Sequence, residues 1–203
     1  MQINKTFKKI VAMTLAEVLV TLGILGTVFA LTVPTLKGNA DKRKMETLVK
    51  KSFLMVSQAI DMSLANDPEE GVGKWNFSSN SDMFNRLTKY LSVQKICPGG
   101  SKECFAKTYK FFSNGNVYSG IDFSATRSAI LSGNIAYQVN QCDGSMCHIH
   151  VDVNGPEEPN VIGYDYFEFV FYKDSRGLTY HGGNDDFSKS QSIMENEWTI
   201  TYF

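Results

Sequence analysis

Ala12-Met13-Thr14-Leu15-Ala16-Glu17-Val18-Leu19-Val20-Thr21-Leu22-Gly23-Ile24-Leu25-Gly26 opens an apolar run that continues to Leu36 with one ionisable side chain, Glu17. A short polar leader, residues 1–12, precedes the run and carries Lys5, Lys8 and Lys9. About 20 apolar residues are enough for a helix to span a bilayer, so residues 13–36 are predicted to be a transmembrane helix. An ordinary secretory signal has a shorter apolar core, roughly 7–15 residues, followed by a small-residue cut site. Ala30 could be taken for such a site, but the run is too long for that reading. A carboxylate costs about 2.5–3.5 kcal/mol at the centre of a bilayer. Glu17 therefore calls for a cationic partner inside the membrane or at its edge.

The run resembles the class III signal of type IV prepilins and type II secretion pseudopilins, and the resemblance extends to Pro34, which sits where that family places a helix proline. It implies that prepilin peptidase cuts between Ala12 and Met13, that the new amino terminus is N-methylated, and that Glu17 pairs with the terminal amine of a neighbouring subunit during assembly. Burying an amine and a carboxylate together in hydrocarbon relieves two unpaired charges at once. The sequence departs from the commonest pattern in Ala12 for Gly, Met13 for Phe and Ala16 before the glutamate. The charge flanks run the other way: Lys37, Lys42, Arg43, Lys44, Lys50 and Lys51 outnumber the leader lysines, and the positive-inside rule would keep that side cytoplasmic. The processing motif and the cysteines outweigh this.

Beyond the apolar run, Met45, Leu48, Val49, Phe53, Val56, Ala59, Ile60 and Leu64 recur at three- and four-residue steps, the stripe of an amphipathic helix packed on a sheet. A helix running from Met13 to about Ala65 would be on the order of 80 Å long, with Gly23, Gly26, Pro34 and Gly38 as points of bending or close packing. Asn66-Asp67-Pro68 stops it, and Met83, Phe84, Leu87 and Leu91 predict a short second helix starting near Ser81 or Asp82. From Thr108 the pattern turns to strands, predicted at 109–112, 117–123, 129–131, 135–139, 149–153, 166–172 and 178–180, with hairpin chemistry at Asn114-Gly115-Asn116, Ser132-Gly133-Asn134 and Ser175-Arg176-Gly177. The expected class is α+β. A long transmembrane and amphipathic helix would lie on an antiparallel sheet, which is also the pilin-like fold that the resemblance implies. The organisation read from the sequence is leader 1–12, membrane helix 13–36, amphipathic continuation 37–66 and globular head 67–203.

The chain has 203 residues, with 20 Lys and Arg against 21 Asp and Glu, so no net basic charge points to nucleic acid as a partner. Four cysteines fall in two close pairs, Cys97 with Cys104 and Cys142 with Cys147, a usage that suits disulfides made in an oxidising compartment. Asp152, Asn154 and Asp165 offer oxygen ligands of the kind calcium takes around a loop shaped by glycine and proline, but the spacing is no EF-hand and favours turns closed by Asx hydrogen bonds. The resemblance adds that some major pseudopilins hold calcium near their sheet loops, and the stretch Val151-Asp152-Val153-Asn154-Gly155-Pro156 with Pro159-Asn160, Gly163, Asp165 and Phe167 looks like one common in such proteins. No cofactor is otherwise required. Cys142, Cys147, His148 and His150 could instead form a zinc site, the histidines lying on one face of a strand. The strand 164–172 reads as having one buried face, and the end 198–203 as an edge strand or a partner contact. No nucleophile elbow, zinc-protease helix, P-loop or dinucleotide fingerprint is present.

The sequence therefore predicts a structural filament subunit rather than an enzyme, of a type IV pilus or a type II secretion pseudopilus. The alternative is a minor pilin that caps a filament and binds DNA, carbohydrate or a secreted substrate. The expected partners are other pilin or pseudopilin subunits, prepilin peptidase, the inner-membrane assembly platform and membrane lipid, with no nucleic acid assigned. The expected location is a single pass through the inner membrane with a periplasmic head, and the cell surface after assembly.

Overall fold

The computed structural model describes residues 14–66, 71–101, 103–118, 127–180, 182 and 185–201, without the side chains of residues 33–39. Ala12 and Met13 lie outside the described residues. The chain divides into two compact units, residues 1–41 and 42–203, and helix α1 (Leu15–Asn66) contributes to both.

In the first unit, Leu15–Thr32 has a mean hydropathy of 2.0 and none of it is buried, so by length and composition it is able to cross a membrane. The hydroxyls of Thr21, Thr27 and Thr32 donate to the carbonyls of Val18, Ile24 and Val28 at 2.8–2.9 Å. This back-bonding satisfies the polar groups within the helix itself, as an apolar surrounding requires.

In the second unit, α1 buries Met45, Val49, Ser52, Val56, Ala59, Ile60 and Ser63 at three- and four-residue steps, with Leu48, Phe53 and Leu64 half-buried at the stripe's edges. The chain then makes one 3-10 turn (Val72–Lys74) and α2 (Asn80–Thr88), whose first turn is capped by Ser79 accepting the Asp82 N–H at 3.2 Å. Among the described residues nine strands follow: β1 (Val93–Cys97), β2 (Tyr109–Phe111), β3 (Val117–Tyr118), β4 (Ser128–Leu131), β5 (Ile135–Asn140), β6 (Met146–Asp152), β7 (Val161–Ile162), β8 (Tyr166–Tyr172) and β9 (Leu178–Tyr180), with α3 (Lys189–Glu195) after them. They form one sheet in the order β1-β4-β5-β6-β8-β7-β2-β3, with β9 also paired to β8.

Side chains alternate across the sheet as strand geometry demands. Phe167, Phe169 and Phe171 of β8, Cys147, Ile149 and Val151 of β6, and Ile135, Tyr137 and Val139 of β5 join the helix-side core. There the ring of Phe53 on α1 meets Phe169 at 5.3 Å and Trp198 at 5.2 Å, while Phe84 of α2 stacks on Tyr137 at 5.5 Å. A second core occupies the opposite face, where Cys97, Cys104, Phe105, Tyr109, Ile130, Ile162 and Tyr166 cluster beside Phe111, Tyr118 and Phe187.

The architecture is α+β, with three departures from the sequence reading. The sheet is mixed, because β7 runs parallel to both β2 and β8. A tight turn at 163–165, bonded from the Gly163 N–H to the Tyr166 carbonyl at 2.9 Å, sets Ile162 beside Tyr166. Strand β2 reaches the other edge of β7 by crossing over rather than by a hairpin, so parallel pairing is open to it. Second, Tyr166, Glu168 and Val170 are buried as well as the phenylalanines of β8, since the loop between Cys97 and Tyr109 and the Phe187 region cover the face predicted to meet solvent. Third, β1, β7 and α3 were not predicted, and the chain end turns back onto α1: the Ile200 N–H donates to Glu46 Oε1 at 2.9 Å and Ile200 is fully buried. Residues 119–123 of the predicted strand 117–123 lie outside the described residues.

Candidate functional site

Glu17 stands in the first turn of α1 and is fully exposed in the isolated chain. Its Oε2 accepts the Thr14 N–H at 2.8 Å and the Thr14 hydroxyl at 2.9 Å, and the Glu17 N–H donates back to Thr14 Oγ1 at 3.2 Å. This is a reciprocal capping box, in which a Thr and a Glu three residues apart satisfy each other's free N–H groups at a helix start. The Thr-x-x-Glu spacing before an apolar run was there to be read in the sequence, and it places the carboxylate at the end of the helix where positive dipole charge gathers.

The head brings Asp152, Asn154 and Asp165 together in one loop. Asp152, at the end of β6, is fully buried; its Oδ2 accepts the Tyr109 hydroxyl at 2.5 Å and its Oδ1 the Asn154 N–H at 3.2 Å. Asp165 is also fully buried and takes the Asn160 and Val161 N–H groups on its two oxygens at 2.6 Å each. The Asn154 amide donates to the carbonyls of Glu157 at 2.8 Å and Glu158 at 3.2 Å, the latter preceding a cis proline. Each carboxylate oxygen thus has a donor within the protein, while Asn154 Oδ1 and Asn160 Oδ1 are buried with no hydrogen-bond donor among the described residues. Burial, and then the charge of Asp165, raises Asp152 well above the ordinary carboxylate range. Burial likewise pushes Asp165 up to about 6, against the Val161 and Asn160 N–H groups that hold it down.

As chemistry, this is an all-oxygen set of the kind calcium takes. As geometry, it is a loop closed by Asx bonds whose carboxylates are already engaged. Gly155 fixes its corner at φ 69°, where a side chain's Cβ would stand 2.6 Å from the Asn134 carbonyl oxygen.

Cys97 and Cys104 are joined by a disulfide, as are Cys142 and Cys147. The grouping of Cys142, Cys147, His148 and His150 does not converge, because Cys147 belongs to the helix-side core while the histidines face the other way. His148 and His150 instead meet Glu168: His148 Nδ1 contacts Glu168 Oε1, and His150 Nε2 lies 3.9 Å from Glu168 Oε2. His150 Nδ1 also pairs with the Tyr166 hydroxyl at 2.5 Å. Register makes Ser128, Gln138, His150 and Glu168 successive neighbours across β4, β5, β6 and β8, all of them buried. The sequence reading passed over this polar row, since its members sit on four separate strands. Among the described residues, no three His, Cys, Asp or Glu side chains form a group able to hold a metal ion.

An open cleft of about 250 Å³ beside α2 is lined by Lys74, Asn76, Asp82, Met83, Asn85, Arg86 and Lys89, none of them among the candidate site residues read from the sequence. Comparison of the chain with protein-family models, with curated proteins and with solved structures finds no match in any of the three.

Proposed function

We propose that this chain is a structural subunit of an extracytoplasmic filament of the type IV pilus or pseudopilus kind, anchored in the membrane by α1 and performing no bond chemistry of its own. The observation that carries the reading is Glu17, the one ionisable side chain of an apolar stretch and the fifth residue after the Ala12–Met13 junction of a prepilin-like signal. Three further features agree with it. The apolar half of α1 leads in sequence into an amphipathic half packed on a sheet, both cysteine pairs are oxidised, and the buried carboxylates of Asp152 and Asp165 are engaged in internal bonds.

In the proposed mechanism, prepilin peptidase exposes Met13, the leader lysines stay on the cytoplasmic side, and the Glu17 carboxylate exchanges its Thr14 donors for the amine of a neighbouring subunit. The apolar helices then bundle and the heads face outward. Removing the carboxylate should spare insertion, because it makes the helix more apolar, and stop assembly. The test is Glu17→Leu in the native host. Membrane fractionation should show an anchored chain at the normal level, with filament or cross-linked subunit ladders lost. Ladders of normal length would refute the assembly role of Glu17.

A further inference from the structure

Just past helix α3, two consecutive residues stand on left-handed backbone, Glu197 at φ 54° and Trp198 at φ 68°, and neither is a glycine. The Trp198 N–H donates to the Ile193 carbonyl at 2.8 Å, a helix stop that ordinarily places Gly where this chain has Glu197. A side chain on such backbone is strained, and it persists only where other contacts hold it. Here the hold comes from α1. The Trp198 ring lies 5.2 Å from that of Phe53, the Ile200 side chain is fully buried, and the Ile200 N–H donates to Glu46 Oε1 at 2.9 Å. Glu195, Asn196, Glu197, Thr199 and Thr201 around these anchors are exposed. Residues 198–200 therefore form a strap on the second-unit part of α1. Its seat is apolar, with a carboxylate at the rim that takes a main-chain N–H, and its hinge is strained.

Exchange between two copies relieves the strain and keeps the seat filled. When Glu197 and Trp198 swing to extended backbone, the strap leaves its own α1 and enters the matching seat of a facing copy, whose strap does the same in return. Each copy then keeps the packing on Phe53, the buried Ile200 and the bond to Glu46. The N–H groups of Trp198 and Thr199, bonded to Ile193 and Asn196 in the closed hinge, turn to water. Short hinges under strain favour this exchange, and the contact is self-complementary and closes at two copies. Four extended residues from Asn196 to Ile200 reach about 14 Å, so the two seats face one another closely. We infer that residues 198–200 are an exchangeable strap, and that the α1 seat at Glu46 and Phe53 accepts the same segment of a second copy of this chain. The inference uses the head alone and goes beyond the filament reading, whose failure would leave it standing.

The test uses the full chain in detergent solution, as a mixture of nitrogen-15-labelled and unlabelled copies incubated at low and at high protein concentration. Trp198 is replaced by the photoreactive p-benzoylphenylalanine, and mass spectrometry reads its links to the α1 peptide that carries Phe53. The expected result is links that join heavy to light peptides, rise with concentration and fall about fivefold when Glu197→Gly is added, because glycine takes the left-handed hinge without strain. Hydrogen exchange of the Ile200 amide, in chains that keep Trp198 and at low concentration, is the second readout. Glu197→Gly should slow it about fivefold, whereas Thr199→Gly, at a residue outside the left-handed region, should speed it. Links confined to peptides of one isotope, or no links to α1, would overturn the exchange. An Ile200 amide that exchanges at the parental rate in Glu197→Gly would overturn the strained hinge, and the inference with it.

Discussion

Tyr109 donates its phenolic hydrogen to Asp152 across 43 residues of sequence, Oη to Oδ2 at 2.5 Å, and the same oxygen accepts the Ala106 N–H at 3.1 Å. Strand β2 and the stapled loop before it are thereby tied to the end of β6, and a fully buried carboxylate gains a donor. Burial, then the charge of Asp152, raises the Tyr109 hydroxyl far above its ordinary value, so it stays a donor at any working pH. Tyr109→Phe keeps the ring and strands the carboxylate. The expected loss is about 2 kcal/mol, a fall in Tm of roughly 4–8 °C by circular dichroism; an unchanged Tm would show that the bond contributes nothing net.

Gly155 and Gly177 both sit at positive φ, 69° and 60°, yet only Gly155 has a backbone oxygen where a Cβ would go. Alanine at either site pays about 1–2 kcal/mol for the left-handed backbone, and at Gly155 another 1–3 kcal/mol for the clash with Asn134. Gly155→Ala should therefore melt several degrees below Gly177→Ala. Equal melting of the two variants would mean that the 134 and 155 turns are not in contact.

Asp165 has its folded pKa raised by burial from 3.8 to about 6. A carboxyl raised in this way favours folding while it is protonated, so its contribution is complete below about pH 4 and is lost as pH rises toward 6, about 3 kcal/mol in all. Asp165→Asn removes the ionisable group at the loss of one of the two oxygens that accept the Asn160 and Val161 N–H groups, a loss that does not depend on pH. Its Tm relative to the parent should rise between pH 4 and 6 and level off above; a difference independent of pH would contradict the burial. Because each carboxylate oxygen already has a donor, 1 mM calcium at pH 7 should leave the parent's Tm unchanged. A rise would mean that the loop rearranges to put Asp152, Asn154 and Asp165 around the ion.

The two disulfides close short loops on opposite faces of the sheet, Cys97 and Cys104 in the second core and Cys147 in the helix-side core. Chain entropy assigns each about 2 kcal/mol. Reduction should therefore lower stability by about 4 kcal/mol in denaturant melts. The Cys97→Ser/Cys104→Ser variant should in addition expose Tyr109 and Tyr166 to solvent quenching, which the Cys142→Ser/Cys147→Ser variant should not.

The parts of the fold legible in the sequence are those with a local period. The Met45 to Leu64 stripe repeats at the helical step, and Phe167, Phe169 and Phe171 alternate at the strand step. What escaped reading is held by contacts with no local signature. Strand β7 has two residues and depends on Asp165 and on its neighbours β2 and β8. The second face of β8 reads as surface because Tyr166 and Glu168 are polar, and they are buried only because a loop stapled some 60 residues earlier covers them. At the helix start, an acid inside an apolar run points to an intersubunit partner, while the Thr-x-x-Glu spacing that caps Glu17 with Thr14 is a signal of only two residues.

The central claim is that this chain is processed and assembled as a filament subunit. The most direct test is the intact mass and amino-terminal sequence of the membrane-extracted protein from a strain with and without its prepilin peptidase. The account predicts a chain beginning at N-methylated Met13 only when the peptidase is present. A chain beginning at Met1 in both strains would contradict it and leave a membrane-tethered α+β domain with no claim to filament assembly.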